Sequence, residues 1–263
     1  MGSLSNYAEL EILDHVLKTG IYTAATTLYV GLSTATIDDA TTGGDVTECT
    51  FSYARVACNT WDAAASRATE NTAAIAFPEA TGSWGTQTDW FVADHLTTGN
   101  IIAYGTFSTG KAVASGDNAS IAAGGIDITA SAGGHSTYLA NKILDHIFKT
   151  AVYTAATTIY VGLSTGTIAD ATTGGDVVEP SGGAYARLAC NTWDAAGSGA
   201  TANTAAITFV MATDSWGTIT DFFTADAVTA GNLLFYEKAD ASKAVGTNDT
   251  IQFDAGSFDI TLD

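Results

Sequence analysis

The chain of 263 residues contains the same sequence twice, and this duplication limits the possible folds more than any single residue does. The second copy follows the first at a spacing of 131 residues, as from Asp14 to Asp145, with a net gain of one residue later in the repeat. A unit of this size can hold its own core, unlike the short repeats of a solenoid. We therefore predict two domains, residues 1–131 and 132–263, which lie close together across a short linker at 131–136. The matched segments include 12–15 with 143–146, 29–34 with 160–165, and 57–62 with 189–194.

Composition indicates a globular protein with few charges. The chain is 46% hydrophobic and carries a net charge of −19, with only nine Lys plus Arg. Binding to a nucleic-acid backbone needs clustered cations, so nucleic acid is excluded as the main partner. No run reaches the roughly 20 apolar residues of a membrane span, so we also expect no membrane partner. The beginning of the sequence lacks the features of a signal peptide, since its first cation is Lys18, which predicts that the chain stays in the cytoplasm where it is made.

The periodicity of apolar residues predicts one helix and then many strands in each copy. Asn6 and Glu9 have the spacing of a capping box, and apolar residues then recur at helical period up to Leu17. From Leu28 to Leu32 the period changes to two, which is typical of a half-buried strand. The fold class predicted is mainly β, with two tandem antiparallel β-sandwich or flattened-barrel domains, each opened by a short amphipathic helix. Further strand candidates are 53–58, 72–77, 88–92, 101–107 and 126–129, and 233–236, 250–253 and 258–262 in the second copy.

Three cysteines make a poor disulfide framework. Cys58 and Cys190 are the same position in the two copies and stand among small and aromatic residues, whereas Cys49 has no counterpart. No histidine or cation lies near them in sequence to activate a thiolate. We expect buried, reduced thiols with a structural role.

An acidic, glycine-rich loop occurs in both copies and is the best candidate for a metal site. Its carboxylates are Asp39 and Asp45 in the first copy and Asp170 and Asp176 in the second. These oxygens could bind Ca²⁺, but the ligand spacing is not that of a known calcium loop. The preferred interpretation is a solvated turn in which glycine supplies positive φ, so we predict no cofactor and keep calcium as the alternative.

The histidines do not form a recognisable catalytic set. His15 and His146 each follow an aspartate on the opening helix, where adjacent side chains diverge by about 100°. His95 and His135 have no counterpart in the other copy, and we expect all four to be polar surface residues. No Gly-x-Ser-x-Gly elbow occurs and no acid and base are singled out, so we predict no catalytic residue and no enzyme.

Three tryptophans stand beside polar turns. Trp84 and Trp216 open matched Trp-Gly-Thr motifs, and Trp90 lies in the aromatic strand that follows the first of them. Such a tryptophan most often closes the end of a core, which is the preferred interpretation. The alternative is a partner or glycan surface on which the indoles stack against sugar rings.

With these motifs in view, the chain resembles a family of small structural proteins of tailed bacteriophages, described as tail-fibre or virion structural proteins. The resemblance covers each copy from end to end and brings no catalytic or ligand-binding residue with it. Members of that family are usually single units, and here residues 91–94 and 223–226 replace a Gly-Ile-Phe-Asp-like run. The resemblance is carried by residues 138–148, 160–163, 183–187, 203–209, 216–220, 231–236 and 258–262.

The resemblance implies a non-enzymatic virion protein present in many copies or as a homo-oligomer. Coiled-coil heptads, collagen triplets and short β-helix repeats, which mark long fibre shafts, are not visible in the sequence. We therefore expect a capsid decoration (cement) protein that binds the major capsid protein and stabilises the assembled shell by mass action. The alternatives are a tail fibre or host-recognition adhesin, and a carbohydrate-binding module.

Overall fold

The computed structural model describes residues 2–18, 20–149 and 151–262, and in these residues both copies have the predicted mainly β fold opened by a helix. None of the helices in the described residues is long and apolar enough to cross a membrane. The elements of the first copy are β1 (Gly2–Leu4), α1 (Asn6–Leu17), β2 (Tyr29–Ser33), β3 (Val56–Ala57), β4 (Ala68–Glu70), β5 (Ile75–Glu79), β6 (Gly85–Ala93), β7 (Ile101–Val113), β8 (Asn118–Ile121) and β9 (Asp127–Thr129). Those of the second copy are α2 (Thr137–Phe148), β10 (Tyr160–Ser164), β11 (Leu188–Ala189), β12 (Ala200–Ala202), β13 (Ile207–Thr208), β14 (Gly217–Ala225), β15 (Leu233–Val245), β16 (Gln252–Phe253) and β17 (Asp259–Thr261).

The N-cap of α1 lies one residue earlier than the spacing of Asn6 and Glu9 predicts. Ser5, in an extended conformation, is the N-cap of α1 and its hydroxyl accepts a hydrogen bond from the Ala8 N–H at 3.3 Å. Asn6, the predicted cap, is instead the first residue of the helix. The Ser5 hydroxyl also donates to the Ile101 carbonyl, and Ser136 makes the equivalent pair of bonds in the second copy. The cap therefore also fixes the helix to the first residue of β7 or β15, which explains why serine occupies this position.

The sheets are antiparallel with one exception. The first copy has a seven-stranded sheet in the order β3-β2-β6-β7-β1-β9-β4, in which only β1 and β9 pair in parallel, and a separate β5–β8 pair. The second copy has a four-stranded sheet in the order β11-β10-β14-β15 and the pairs β12–β17 and β13–β16. His135 takes the place of β1 there, because it forms a bridge with Phe235 on β15. The linker is thus part of the second domain's sheet.

A wide bulge interrupts the long hairpin of each copy at the same place. Gln87 on β6 lies opposite Lys111 on β7, and Asp89 lies opposite Thr106, so that residues 107–110 bulge from the ladder against a single residue of β6. The hairpin of β14 and β15 has the same irregularity. Bulges of this kind bend a strand and redirect its side chains.

The two copies share one hydrophobic core. A single cluster of buried apolar residues runs through both copies, and only two small clusters, around Phe91 and Phe223, lie apart from it within the described residues. Helix α1 packs on β7 of its own copy and β12 of the other, and α2 packs on β15 and β4. The Trp61 ring of the first copy lies 4.8 Å from the Phe148 ring of the second. The repeats therefore pack against each other as closely as the layers within one domain.

The prediction for the matched cysteines is confirmed. Cys58 and Cys190 are buried free thiols, and burial raises the pKa of both, which keeps them protonated and unreactive. Cys49 is half-buried, and its thiol donates to the Gln87 side-chain oxygen at 3.2 Å.

Candidate functional site

The two opening helices meet through their histidines. His15 Nε2 lies 3.0 Å from the Tyr153 carbonyl oxygen, and His146 Nε2 lies 3.1 Å from the Tyr22 carbonyl oxygen. The two imidazoles stack with centroids 5.2 Å apart and planes 3° from parallel. Each copy thus makes the same contact to the other, which relates the two by an approximate twofold axis through the histidine pair. The expectation that the four histidines lie on the surface is wrong for His135 and His146, which are 2% and 9% exposed, whereas His15 is partly buried and His95 is exposed.

Each imidazole contacts main-chain atoms through both ring nitrogens. His15 Nδ1 lies 2.9 Å from the Gly20 carbonyl oxygen and 3.2 Å from the Tyr22 nitrogen. His146 Nδ1 lies 3.2 Å from both the Ala151 carbonyl oxygen and the Tyr153 nitrogen. Burial raises the pKa of both Tyr22 and Tyr153, so their phenols stay neutral. The histidine pair therefore holds main-chain segments of both repeats.

The aspartates that precede the histidines also cross the interface. Asp14 Oδ1 accepts a hydrogen bond from the Ala196 N–H at 2.8 Å, and Asp145 Oδ1 accepts one from the Ala64 N–H at 2.8 Å. Asp and His are adjacent on the helix and point to different main-chain segments of the other copy. The matched Asp-His pair of the sequence is therefore an interface motif.

A groove with a volume of about 530 Å³ opens on the approximate twofold axis. Its walls are equivalent segments of the two copies, residues 20–26 and 152–157, and the two histidines lie at its floor. Threonine, alanine, glycine, tyrosine and aliphatic side chains line the groove, and none of its lining residues is acidic or a lysine or arginine. Ile21 and Val152 stand on its two sides with 87% and 83% of their surface exposed. Such strong exposure of aliphatic side chains beside an apolar hollow is typical of an interaction surface.

A second polar cluster makes the two interfaces of the repeats unequal. The Arg67 guanidinium of the first copy donates to the His135 carbonyl at 2.7 Å and to His135 Nε2 at 2.8 Å, and lies 3.6 Å from Asp170. Burial, followed by the charge of Arg67, lowers the pKa of His135 to about 4. Asp170 also accepts a hydrogen bond from the Tyr236 hydroxyl. The position equivalent to Arg67 is Gly199. The contacts of Arg67 with His135 and Asp170 therefore have no counterpart at the other interface between the repeats.

A buried arginine organises the acidic loop of each copy. Arg55 is paired with Glu48 at 2.8 Å, donates to the carbonyls of Gly43 and Thr98 at 2.7 Å, and covers an aromatic ring of β6. Arg187 makes the equivalent contacts in the second copy. The glycine-rich loop is therefore fixed by an internal cation, with its main chain turned toward a guanidinium.

The four acidic calcium candidates do not converge in the described residues. Asp45 and Asp176 each accept a hydrogen bond from the threonine three residues earlier, at 2.6 Å. Asp170 takes part in the cluster with Arg67, and Asp39 also has a partner. In the described part of the chain no three His, Cys, Asp or Glu side chains lie together in a way that could hold a metal ion. That the protein has no cofactor, with calcium as the alternative, stays a prediction.

The three tryptophans lie in the core. Trp84, Trp90 and Trp216 are only 3%, 2% and 2% exposed. The indole N–H groups of Trp84 and Trp216 donate to the carbonyls of Phe51 and Gly183, each at 2.9 Å. A sugar ring needs an exposed aromatic face, so the glycan surface considered for these residues is wrong in this fold. Their position follows from the hairpins, which direct the motif inward to close one end of each core.

Each copy has a cleft beside its strand bulge. The cleft of the first copy, about 510 Å³, is lined by Phe107, Lys111 and residues of β8, and that of the second, about 400 Å³, by Lys243, Phe253 and residues of β15. Lys111 and Lys243 are the same position in the two repeats. Half-buried phenylalanine rings and polar side chains thus meet twice in one molecule.

Comparison with known proteins gives the family. The profile of the family described as podophage GP4 fiber I protein gp80 matches residues 3–129 and again residues 134–261, which together are nearly the whole chain. The chain belongs to this family. No curated protein matches it. The match confirms the resemblance to phage virion proteins, the tandem duplication and a phage structural role, and it places the protein in the virion.

Sequence reasoning missed the groove. Ile21 and Val152 occupy matched positions just after the two helices, outside any helical or strand period. The sequence feature that could have indicated the groove is the apolar residue repeated at this position. Its role becomes visible only in the tertiary structure, where the second copy packs against the first.

Proposed function

We propose that this protein is a non-enzymatic structural subunit of a podophage fibre. The observation that carries the proposal is the double match to a fiber protein family. Capsid decoration, which the sequence favoured, has no support in that match, whereas the fibre alternative agrees with the family's description. Its partners would then be other fibre or tail proteins of the virion, in place of the major capsid protein.

The use of polar side chains supports a structural role. Buried Arg55 and Arg187 hold loop carbonyls, and the histidine pair holds the main chain of the opposite repeat. Groups of these types would be the acids, bases and charge stabilisers of an enzyme, and here they are committed to main-chain partners. The arrangement provides a rigid unit with a fixed angle between its two halves.

The duplication gives this unit two similar outer surfaces related by the approximate twofold axis. Two linked binding surfaces raise the overall affinity for a multi-site partner, because the second contact forms at a high effective concentration. The net charge of −19 would keep unassembled chains apart, so that stable association is limited to surfaces that fit.

Locating the protein in purified virions tests this proposal. Mass spectrometry of the particles would give the copy number, and cryo-electron microscopy of particles labelled with an antibody fragment would give the position. Label on appendages of the tail, at a few to tens of copies per particle, is the expected result. Label distributed over the shell would indicate capsid decoration instead of a fibre role. Absence of the protein from virions would overturn the virion role.

The paired clefts favour saccharide binding as a second candidate function. Each offers a half-buried phenylalanine ring, a lysine at the same position, and hydroxyl, amide and carboxylate side chains, all of which are groups that bind sugars. Retention of host-cell polysaccharide by the purified protein, and its loss in a Lys111→Ala/Lys243→Ala variant, is the expected result. Lys18→Ala, in a different part of the surface, is the control variant. Equal retention by all three proteins would reject the clefts as the site.

A further inference from the structure

We propose that the groove on the approximate twofold axis binds a second copy of this chain, so that two molecules associate groove to groove. The contact is isologous: the aliphatic side chains beside the groove of each molecule enter the groove of the other. The proposal concerns the purified protein and does not depend on where in the virion it is found.

Shape is the first argument, because this face has the two features that pairing with a second copy requires. One face of the molecule carries both a hollow of about 530 Å³ and two protruding side chains, Ile21 and Val152, that are almost fully exposed. In a twofold dimer the same patch serves both partners, so a patch needs both a projection and a recess. The volume is large enough for the two aliphatic side chains of a partner.

Charge is the second argument. The chain has 28 acidic and nine basic residues, and most ways of bringing two copies together set carboxylates against carboxylates. Among the described residues, the lining of the groove contains no Asp, Glu, Lys or Arg. Two copies that meet here therefore bury apolar surface while their charged surfaces stay in solvent, where salt screens them.

Continuity with the interface between the repeats is the third argument. The floor of the groove contains the stacked His15 and His146, whose bonds to Tyr22 and Tyr153 join the repeats. The walls extend outward from this floor. A second molecule would lengthen an existing apolar interface along its own axis and unite four similar domains around one centre.

The oligomeric state of the purified full chain tests the proposal. Sedimentation velocity and light scattering over a wide range of concentration should show a reversible dimer of the wild type. In an Ile21→Asp/Val152→Asp variant the dissociation constant should rise by on the order of a hundredfold, since a charge then replaces each buried aliphatic group. Ile21→Thr/Val152→Thr, which adds no charge, should weaken the dimer in the same direction.

The control variant is Val178→Asp/Met211→Asp. These side chains are 59% and 52% exposed, lie outside the groove lining, and add the same two negative charges. Circular dichroism would verify that each variant is folded. A wild type that is monomeric at every concentration overturns the proposal and leaves another virion protein as the occupant. Equal weakening in the control also overturns it, because net charge would then explain the effect.

Discussion

Buried charged and titratable side chains of this protein are bonded mainly to main-chain atoms, and this decides how single substitutions act. Arg55 and Arg187 each hold two loops that are remote in sequence, while Arg67 and His135 join the linker to both repeats. Removal of such a side chain loses one interaction and also leaves buried carbonyls without donors, which costs more than the bond itself contributes.

Substitution of Arg55 by alanine should lower the free energy of unfolding by about 3 kcal/mol, because it leaves Glu48 and three carbonyls unpaired. Glu48 keeps a quarter of its side-chain surface exposed, which places the expected value at the lower end for buried pairs. Arg187→Ala should cost about the same. Chemical denaturation measures both, with Lys18→Ala as the surface control. A loss below about 1 kcal/mol would contradict the anchoring role.

Acidification should destabilise the protein through His135. Its pKa is about 4 in the folded state and near 6.5 when unfolded, so below pH 6.5 the unfolded state binds the proton first. Stability therefore falls as the pH falls from 6.5 toward 4, and His135 contributes about 2 kcal/mol of loss between pH 7 and pH 5.

The variant His135→Gln isolates this effect, because it keeps a hydrogen-bonding side chain that does not titrate. Unfolding by denaturant at pH 7 and pH 5 should show a smaller difference in the variant by about 2 kcal/mol. The other titratable residues are common to both proteins. An identical pH dependence of the two proteins would refute the buried, neutral state of His135.

At the scale of elements, each helix has two different attachments. Its N-terminus is fixed to its own sheet by the capping serine, and its last turn is fixed to the other repeat by Asp and His. The helix therefore connects the two halves of the molecule, although it is only 12 residues long. This explains why the Asp-His pair is present in both copies.

The position of the N-cap can be tested directly. Ser5→Ala should lower stability by about 1 to 2 kcal/mol, because it removes the acceptor for the Ala8 N–H and the donor to the Ile101 carbonyl. Ser136→Ala should behave alike. Asn6→Ala should change stability by no more than about 0.5 kcal/mol. Thermal unfolding of the three variants measures these losses of stability. A larger loss for Asn6→Ala than for Ser5→Ala would mean that Asn6 is the N-cap.

At the scale of the whole molecule, the chain is a covalent pair of equivalent domains with a common core. The approximate twofold symmetry is broken by Arg67, whose counterpart is Gly199, and by the different starts of the two sheets. Each repeat covers apolar surface that the other would expose alone. The two halves are thus expected to depend on each other for stability.

Calorimetry should therefore show one unfolding transition, with equal calorimetric and van't Hoff enthalpies. The reason is that the two repeats share one hydrophobic core, so neither repeat can unfold without exposing apolar surface of the other. Asp14→Ala with Asp145→Ala removes two bonds across the interface and should lower the Tm of this one transition without dividing it. Two separate transitions in the wild type would mean that the repeats unfold independently.

Local pattern determined much of the secondary structure. Alternation in residues 28–32 predicted β2, and the strand candidate 88–92 lies within β6. The expectation that residues 28–32 form a half-buried strand is wrong, because residues 30–33 are all buried and both faces of β2 are covered. Small and aromatic surroundings predicted the burial of Cys58. The short strands β4, β8, β12 and β13 were not predicted. A segment such as Asn118–Ile121 has little pattern of its own and becomes a strand through its pairing with β5.

The sequence by itself determined the duplication, the class of fold and the family, because repeats and apolar periods are properties of neighbouring or matched positions. Only the tertiary structure decided that His15 stacks on His146 and that Ile21 and Val152 frame one groove. His15 and the carbonyl that it binds are 138 residues apart in the chain. No local period records such a contact, since it forms only when two complete domains bury their surfaces against each other.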